Sequence, residues 1–160
     1  MKETLLTVLE NTRLADGIYR LRLAGDTSAI TAPGQFVNLK LSGFFLRRPI
    51  SVCDWENGEV TLIYKVLGHG TEAMTGMAVG TALDVLTGLG NGFDLSRSGE
   101  HPLLVGGGVG IPPLYGLARR LTAQGKRVTA VLGFNRKSEI FLAEEFRALG
   151  AEVVIATADG

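Results

Sequence analysis

The segment from Leu103 to Pro113, LLVGGGVGIPP, restricts the possible folds of this chain more than any other stretch. A short apolar run ends in a cluster of glycines, and an amphipathic segment follows from Leu114 to Gln124. This order predicts a strand, a tight turn and a helix. Glycines let a backbone approach a ligand without interference from Cβ, and the first turn of a helix presents unpaired N–H groups. The segment therefore predicts a site for a phosphate or diphosphate group.

Residues 99–160 alternate strand and helix patterns around this turn. Strands are predicted over Leu103–Val105, Arg127–Phe134 and Glu152–Ala156, and helices over Pro113–Gln124 and Glu139–Leu149. Gly125 and Gly150 stand where the C-terminal caps of the two helices are expected. The order strand-helix-strand-helix-strand is typical of a parallel sheet with right-handed crossovers.

This parallel sheet is expected to be incomplete. A doubly wound sheet normally continues on the far side of its first strand, whereas this sequence stops just after the third. We therefore predict a partial α/β nucleotide-binding domain over residues 99–160, with an open edge on its first strand. A fragment of a longer protein is the favoured explanation, and a partner that covers the edge is the alternative.

Residues 1–98 carry a different pattern, in which short β-like runs are separated by turn residues. The predicted strands are Thr4–Asn11, Gly17–Ala24, Gln35–Leu41, Arg48–Asp54, Glu59–Val66 and Thr81–Thr87, with one short helix in His69–Met77. The turn Glu56-Asn57-Gly58 predicts a hairpin between the fourth and fifth strands. Closely spaced strands of this kind favour a small antiparallel barrel or sandwich.

Composition excludes several classes of function. The 160 residues include 16 basic and 16 acidic side chains, so the formal net charge is zero and no nucleic-acid footprint or polybasic membrane patch is present. Cys53 is the single cysteine, so no internal disulfide can form and a reducing, cytoplasmic setting is expected. No apolar stretch approaches the ~18 residues that a membrane span needs.

The glycine turn does not match the commonest nucleotide motifs. No Gly-Lys-Ser/Thr follows it, which excludes a P-loop, and Pro113 stands where the third glycine of a dinucleotide fingerprint belongs. The second strand of the sheet ends in Phe134-Asn135-Arg136, without the acid that binds the ribose of NAD. Arg136 and Lys137 are equally plausible as surface charges or as ligands of the 2′-phosphate of NADP. A turn that only packs is the alternative, but the strand–helix context favours nucleotide phosphate binding.

Arg47-Arg48-Pro49-Ile50-Ser51 forms a second candidate group. Adjacent residues at the start of a strand point to opposite faces, so one of the two arginines could meet a ligand diphosphate. Ser51 adds a short hydroxyl donor. Without other evidence, two solvated arginines would be the simpler interpretation.

Gly68-His69-Gly70-Thr71 forms a third candidate group, at the start of the predicted short helix. Glycines and a hydroxyl at that position suit an anion, and they also suit an ordinary helix N-cap. His69 fits a ligand contact or an exposed loop residue, and Cys53 fits a buried structural thiol better than a contact with a bound cofactor.

Taken in order, the three groups resemble motifs of the ferredoxin–NADP reductase superfamily, in which a flavin-binding β-barrel precedes a pyridine-nucleotide domain. Arg48-Pro49-Ile50-Ser51 resembles its Arg-x-Tyr-Ser/Thr flavin motif, with Ile50 in place of the aromatic residue. Gly68–Thr71 resembles its second flavin-diphosphate segment, and Gly108–Pro113 resembles its Gly-x-Gly-x-x-Pro nucleotide motif. The forms Arg-Arg-Pro-Ile-Ser and Gly-Gly-Gly-x-Gly-x-Pro-Pro-Leu together are most similar to one branch, the electron-transfer subunits of class 1B dihydroorotate dehydrogenases.

The resemblance covers essentially the whole chain and implies a site for each cofactor. FAD would bind in a barrel domain over residues 1–98, and NADH would bind in the α/β domain over residues 99–160. The residues implied for FAD are Arg48, Pro49, Ile50, Ser51, Tyr64, Lys65, Val66, Gly68, Gly70 and Thr71. Those implied for the NADH diphosphate are Gly107, Gly108, Gly110 and Pro113. Thr157–Gly160 resembles the segment that approaches the nicotinamide nucleotide.

The resemblance also implies a function, electron transfer from NADH through FAD to a partner. In the branch, electrons leave through a two-iron two-sulfur cluster, held by four C-terminal cysteines, to an FMN-containing catalytic subunit of pyrimidine biosynthesis. With only Cys53 present, such a cluster is expected only in a longer chain. No catalytic acid or base is expected, because the cofactor supplies the chemistry.

Three alternatives stay open at the level of sequence. The chain could belong to another NAD(P)H–ferredoxin or sulfur oxidoreductase of the same superfamily. It could be a non-enzymatic module that binds a nucleotide to regulate or assemble a partner. The truncated form could also be inactive, since half of its nucleotide domain is missing.

Overall fold

A computed structural model describes all residues, 1–160, and places the first half of the chain in a closed antiparallel barrel. The strand order around the barrel is β1-β2-β5-β4-β3-β6. The barrel strands are β1 (Lys2–Ala15), β2 (Ile18–Gly25), β3 (Phe36–Leu39), β4 (Arg48–Glu56), β5 (Glu59–Lys65) and β6 (Ala82–Leu89), and helix α1 spans His69–Thr75. Of the two predicted architectures, barrel or sandwich, the structure confirms the barrel. Most of its elements lie within two residues of their predicted bounds.

The hairpin between β4 and β5 illustrates how local sequence specifies the barrel. Asn57 and Gly58 both have positive φ, at 51° and 80°, as a two-residue type I′ turn requires. Along β5, Val60, Leu62 and Tyr64 are buried in the barrel core. Ile63, between them, is buried in the other core, against the helices, so the two faces of β5 follow the two-residue period of a strand.

Strand β1 is longer than the predicted Thr4–Asn11. It runs to Ala15 and contains two register shifts, one after Val8 and one after Arg13. Its first half pairs with β6 and most of its length pairs with β2. Bulges of this kind bend a strand sharply, which allows one strand to serve both neighbours as the barrel closes.

The second half of the chain forms a three-stranded parallel sheet in the order β7-β8-β9. Its elements are β7 (Leu103–Gly107), α2 (Pro112–Ala123), β8 (Thr129–Phe134), α3 (Ala143–Ala148) and β9 (Glu152–Thr157). Gly125 and Gly150 follow the two helices with φ of +80° and +87°, the left-handed conformation expected of a glycine cap. The predicted class, a barrel followed by a partial parallel α/β domain, is confirmed.

Helix α3 is shorter than predicted, and the expectation of a helix over Glu139–Leu149 is wrong in its first part. Residues 137–139 form one 3₁₀ turn, and Leu142 adopts a left-handed φ of 62° that interrupts any continuous helix. This detour brings the Phe141 ring against Phe134, edge to face, with 5.6 Å between centroids. Burial of Phe141 therefore overrides the local helical pattern.

The edge and one face of the parallel sheet are open. Strand β7 pairs only with β8, which confirms the predicted open edge. Leu104, Ala130 and Leu132 are buried on the face that carries the helices, whereas Leu103 and Val105 are 62% and 66% exposed on the other.

The barrel and the sheet share a hydrophobic core. Ile18, Cys53 and Ile63 of the barrel belong to the same buried cluster as Leu117 and Leu121 of α2. The two domains are therefore in direct contact through α2. None of the helices has the length and apolar character needed to cross a membrane.

Candidate functional site

Arg48, the first residue of β4, lies over the N-terminus of α1. A Cβ placed on Gly70 would come within 2.1 Å of the Arg48 Nε, so no larger residue fits there without moving the guanidinium. The Arg48 Cζ lies 5.0 Å from the centroid of the Phe44 ring, and Nη1 donates to the Leu46 carbonyl at 2.5 Å. Its remaining N–H groups have no acceptor in the chain, so they are available to an anion at the start of α1.

Arg47 does not face the start of α1, and its contacts are structural. Its Nη2 lies 3.0 Å from both carboxylate oxygens of Asp84 and 3.0 Å from Glu3. Its Nη1 donates to the backbone carbonyls of Asn38 and Asp84, at 3.4 and 3.2 Å. Of the two adjacent arginines, Arg47 therefore ties the loop before β4 to β6, and Arg48 faces the candidate site.

The start of α1 has features of both interpretations that its sequence allowed, an anion site and an ordinary helix N-cap. The Thr71 hydroxyl accepts from the N–H groups of Leu67 and Gly68, at 2.9 and 3.2 Å, and donates to the Gly68 carbonyl. It thus caps the helix. The first intrahelical bond runs from Glu72 to Gly68, so the N–H of Gly70, in the first turn, has no intrahelical acceptor.

Asn11 fixes the other end of α1, and no sequence signal marks it. Its Nδ2 donates to the carbonyls of Met74 and Met77, at 2.7 and 3.2 Å, and its Oδ1 accepts from the Tyr64 hydroxyl at 3.1 Å. Burial raises the pKa of Tyr64 to about 12, so this hydroxyl stays protonated as a donor at neutral pH. Helix α1 is thereby held in place beside Arg48.

The residues predicted to line a flavin lie at the same end of the barrel. Strands β4 and β5 are antiparallel with Val52 opposite Leu62, so the start of β4 and the end of β5 are neighbours. Ile50, Ser51 and Val66 are partly exposed there, and Pro49 and Gly68 are exposed.

Tyr64 is an exception among these residues. Only 1% of it is exposed, its ring lies in the barrel core, and it stacks on Tyr19 at 5.6 Å. The prediction that Tyr64 lines a flavin therefore does not extend to its buried side chain. Strand alternation turns residue 64 inward, and its backbone alone could contribute to a site.

A cavity of about 650 Å³ opens at the carboxyl ends of the three parallel strands. It is lined by Lys65, Gly107, Gly108, Val109, Gly133, Phe134, Asn135, Glu139, Ala156, Thr157 and Ala158. Ligands of open α/β sheets bind at this edge. Lys65 comes from the barrel and pairs with Glu139 at 3.3 Å, so the cavity adjoins the flavin-side end of β5.

The glycines of the turn differ in their surroundings: Gly106 is packed, Gly107 and Gly108 line the cavity, and Gly110 is exposed beside it without lining it. A Cβ on Gly106 would lie 2.7 Å from the Leu114 side chain, so this glycine permits the helix to approach β7. Around Gly108 and Gly110, no atom lies within 4 Å of the place that a Cβ would take, and Gly108 has a φ of +50°. These two, with Gly107, present bare backbone to open space.

The first turn of α2 offers fewer donors than the sequence suggested. Pro112 and Pro113 have no N–H, and the N–H groups of Ile111 and Leu114 bond to Gly108 and Ile111 at 3.1 and 2.9 Å. An anion here would therefore depend on the backbone of residues 107–110. Pro113 shapes the turn and cannot donate to a ligand.

The other candidate residues do not line the cavity. Arg136 and Lys137 are exposed and do not line the cavity, although the Lys137 N–H donates to the Asp159 carboxylate at 3.1 Å. His69 is exposed. Cys53 is buried, and this burial raises the pKa of its thiol, which favours the structural interpretation.

Comparison with known proteins agrees with this geometry. No family model matches the chain. The electron transfer subunit of dihydroorotate dehydrogenase B (NAD(+)) from Bacillus pumilus is 46% identical, over all of this chain and 65% of its own length. The homologous subunit from Shouchella clausii is 45% identical, over 99% of this chain and 64% of its length. The chain thus spans somewhat less than two thirds of these curated relatives.

A solved structure of the NADH-dependent reduced ferredoxin-NADP oxidoreductase superposes with a TM-score of 0.86 and 28% identity, over 98% of this chain and 58% of that one. The chain therefore has the fold of ferredoxin–NADP reductase-like proteins. Its curated homologues at about 45% identity are electron transfer subunits of dihydroorotate dehydrogenase B.

Replacing Arg47 by alanine should lower the free energy of unfolding by about 1–3 kcal/mol, because two backbone carbonyls and Asp84 lose their donor. Burial acts to raise the pKa of Asp84, but the Arg47 guanidinium lowers it below its ordinary value. The pair therefore stabilises the fold fully above the pKa of an unfolded aspartate, near ~4, and less as the pH falls below it. Urea unfolding at pH 7 and pH 3 should show a smaller difference between wild type and variant at pH 3.

Exposed Arg97, which forms no ion pair, provides the matched control. Arg97→Ala should change the free energy of unfolding little at either pH. A difference for Arg47→Ala that is equal at both pH values would contradict the role given to the pair with Asp84.

Proposed function

We propose that this chain binds FAD and NADH and passes electrons from NADH to a partner, as part of an electron transfer subunit of dihydroorotate dehydrogenase B. The observation that carries the proposal is the Arg48 guanidinium, held over Gly70 with unpaired N–H groups. The 46% identity to a curated subunit supports the assignment of the function. Residues 1–98 would form the flavin domain and residues 99–160 part of the nucleotide domain.

The residues at the start of β4 fit a flavin dinucleotide. A diphosphate needs several donors and positive charge, and Arg48 and the N–H of Gly70 supply both at one place. Ser51, Ile50 and Val66 are partly exposed on the same end of the barrel. In this proposal they would adjoin the ribityl chain and the ring, with Ile50 giving an aliphatic face where the superfamily motif has an aromatic one.

The cavity at the sheet edge fits a second dinucleotide. Gly107, Gly108 and Gly110 would let a diphosphate approach the backbone, since no Cβ intervenes. Thr157 and Ala158 line the same cavity at the end of β9. Lys65 lines the cavity from the barrel side, so the two proposed sites adjoin at the end of β5.

The chemistry belongs to the bound cofactors, since FAD accepts a hydride from NADH and can release electrons one at a time. The protein would bind both molecules and hold them in a fixed relation. Arg48 would orient the flavin through its diphosphate, and the glycine turn would orient the nicotinamide nucleotide. We propose no proton transfer by a side chain of this chain.

A two-iron two-sulfur cluster does not fit the residues of this chain. Cys53 is the single cysteine and is buried, and no group of three or more His, Cys, Asp or Glu side chains could hold a metal ion. We derive no step through a cluster. The proposed acceptor is the FMN-containing catalytic subunit of the dehydrogenase in the cytoplasm, and co-purification with a protein that oxidises dihydroorotate would test it.

A second candidate, a subunit that exchanges electrons between NAD(P)H and ferredoxin, is favoured by the superposition on the ferredoxin-NADP oxidoreductase. Both functions use the same two sites. They differ in the acceptor, so reduction of added ferredoxin in place of the dehydrogenase subunit would favour the second.

Replacing Arg48 by alanine should weaken FAD binding by roughly 10- to 100-fold, the value of one charge-assisted contact of about 1.5–3 kcal/mol. Titration of the flavin-free protein with FAD, followed by flavin fluorescence, measures this affinity. Arg47→Ala is the matched control and should keep the affinity while lowering stability. Equal affinities for wild type and Arg48→Ala would overturn the assignment of the diphosphate site.

Replacing Gly110 by valine should slow reduction of the bound flavin by NADH more than tenfold, because a branched side chain would fill the space above the turn. FAD occupancy should not change. Rapid mixing with NADH under anaerobic conditions, followed by flavin absorbance, gives the rate, and Gly99→Val in the exposed linker is the control. Loss of FAD from the Gly110→Val variant would mean that the two sites have been exchanged.

A further inference from the structure

Strand β4 carries the flavin-side residues and also supports the nucleotide domain. Its first half begins with Arg48, and its second half, from Cys53 to Glu56, lies against helix α2. The glycine turn immediately precedes α2. The distance between the two proposed sites therefore depends on how closely α2 lies on β4.

Gly116 is the point of closest approach between helix and strand. It is buried, and a Cβ placed on it would lie 2.7 Å from the Cys53 carbonyl oxygen. A real Cβ essentially never lies within 3.0 Å of such an atom, and ordinary contacts are 3.4–4 Å long. Any side chain at this position would therefore push α2 away from β4 by several tenths of an ångström.

Two arginines on the next turn of α2 fasten it to the same strand. The Arg120 guanidinium lies 3.6 Å from the centroid of the Trp55 ring, and its Nη1 donates to the Gly116 carbonyl at 3.0 Å. The Arg119 Nη1 lies 2.9 Å from the Asp54 carboxylate. Stacking and ion pairing thus hold the turn of α2 that follows Gly116 against β4.

A second connection lies beside the nucleotide cavity. Lys65 pairs with Glu139 across the domains, and the Asp16 N–H donates to the Ser138 carbonyl at 3.1 Å. With the α2–β4 contact, the nucleotide domain is held to the barrel at two separated places. Two such attachments oppose rotation of one domain against the other.

We propose that Gly116, Arg120 and Trp55 are positioning residues, which set the spacing between the flavin site and the nucleotide cavity for hydride transfer. The proposal rests on the proposed function. Reacting groups must lie about 3–3.5 Å apart, and a misplacement of 1 Å can lower a rate by about 100-fold. These residues act through the domain contact and touch neither proposed ligand.

Gly116→Ala tests this directly in the FAD-loaded chain. Its limiting rate of flavin reduction at saturating NADH should fall roughly tenfold, as expected for a shift of less than 1 Å. The FAD affinity and the NADH concentration that gives half the limiting rate should change less than twofold, because neither site is altered. Gly99→Ala, at an exposed glycine with open space around it, is the matched control and should leave all three quantities unchanged.

Arg120→Ala provides a second variant that introduces no steric clash. Loss of one guanidinium–indole stack should lower the limiting rate about two- to fivefold. Arg97→Ala should not change it. This variant keeps the proposal testable if Gly116→Ala fails to fold.

Trp55 is the single tryptophan of the chain and reports on the contact independently of activity. Its fluorescence emission in the flavin-free protein should shift to longer wavelength in Gly116→Ala and Arg120→Ala, because the indole becomes more exposed to water. The Gly99→Ala and Arg97→Ala emission should match wild type.

The outcomes separate this proposal from the proposed function. A wild type that NADH does not reduce would overturn the proposed function and the positioning role with it. A wild type that is reduced, with variants whose emission shifts but whose limiting rates equal wild type, would overturn the positioning role alone. Unchanged emission would show that the contact does not depend on these residues, and would also overturn it.

Discussion

The approach of α2 to β4 at Gly116, too close for any side chain, is the contact on which the arrangement of the two domains depends. It lets a helix of the nucleotide domain lie directly on a barrel strand, so that Cys53 and Ile63 of the barrel enter the same core as α2. The strand that receives this helix also begins with Arg48. The proposed flavin-side residues on β4 and the glycine turn before α2 are therefore connected through a packed contact between strand and helix.

The two adjacent arginines show how strand geometry separates structure from function. The Arg47 guanidinium pairs with Asp84 and Glu3 and donates to two backbone carbonyls, and these contacts hold the preceding loop in place. Arg48, one residue later and on the opposite face, keeps unpaired N–H groups over Gly70. A Cβ at position 70 would displace the guanidinium from its present place. The sequence contains both arginines side by side, but only the structure shows that Arg47 ends the loop before β4, that Arg48 begins the strand, and that they have different partners.

Features with local causes could be predicted from the sequence. The Asn57-Gly58 turn, the glycine caps at 125 and 150 and the parallel order of the last three strands each follow from backbone conformation or periodicity over a few residues. Features that depend on residues far apart in the sequence could not be predicted in this way. The start of α3 is displaced by burial of Phe141, Tyr64 faces the core and Asn11, and Arg120 stacks on a tryptophan far away in sequence. The cofactor contacts stay predictions, because they involve molecules that are not part of the polypeptide fold. The domain boundary near residues 98–99 also stays a prediction.

The central claim is that one chain holds a flavin beside a nicotinamide dinucleotide, and a visible absorbance spectrum tests it most directly. The purified chain would be supplied with FAD, freed of unbound flavin, and recorded under anaerobic conditions before and after addition of NADH. The expected result is the spectrum of a bound oxidised flavin that bleaches when NADH is added. A bound flavin that does not bleach would contradict the nucleotide site. A chain that retains no flavin would contradict the site at Arg48 and Gly70, and with it the assignment of this protein as a flavin-dependent electron carrier.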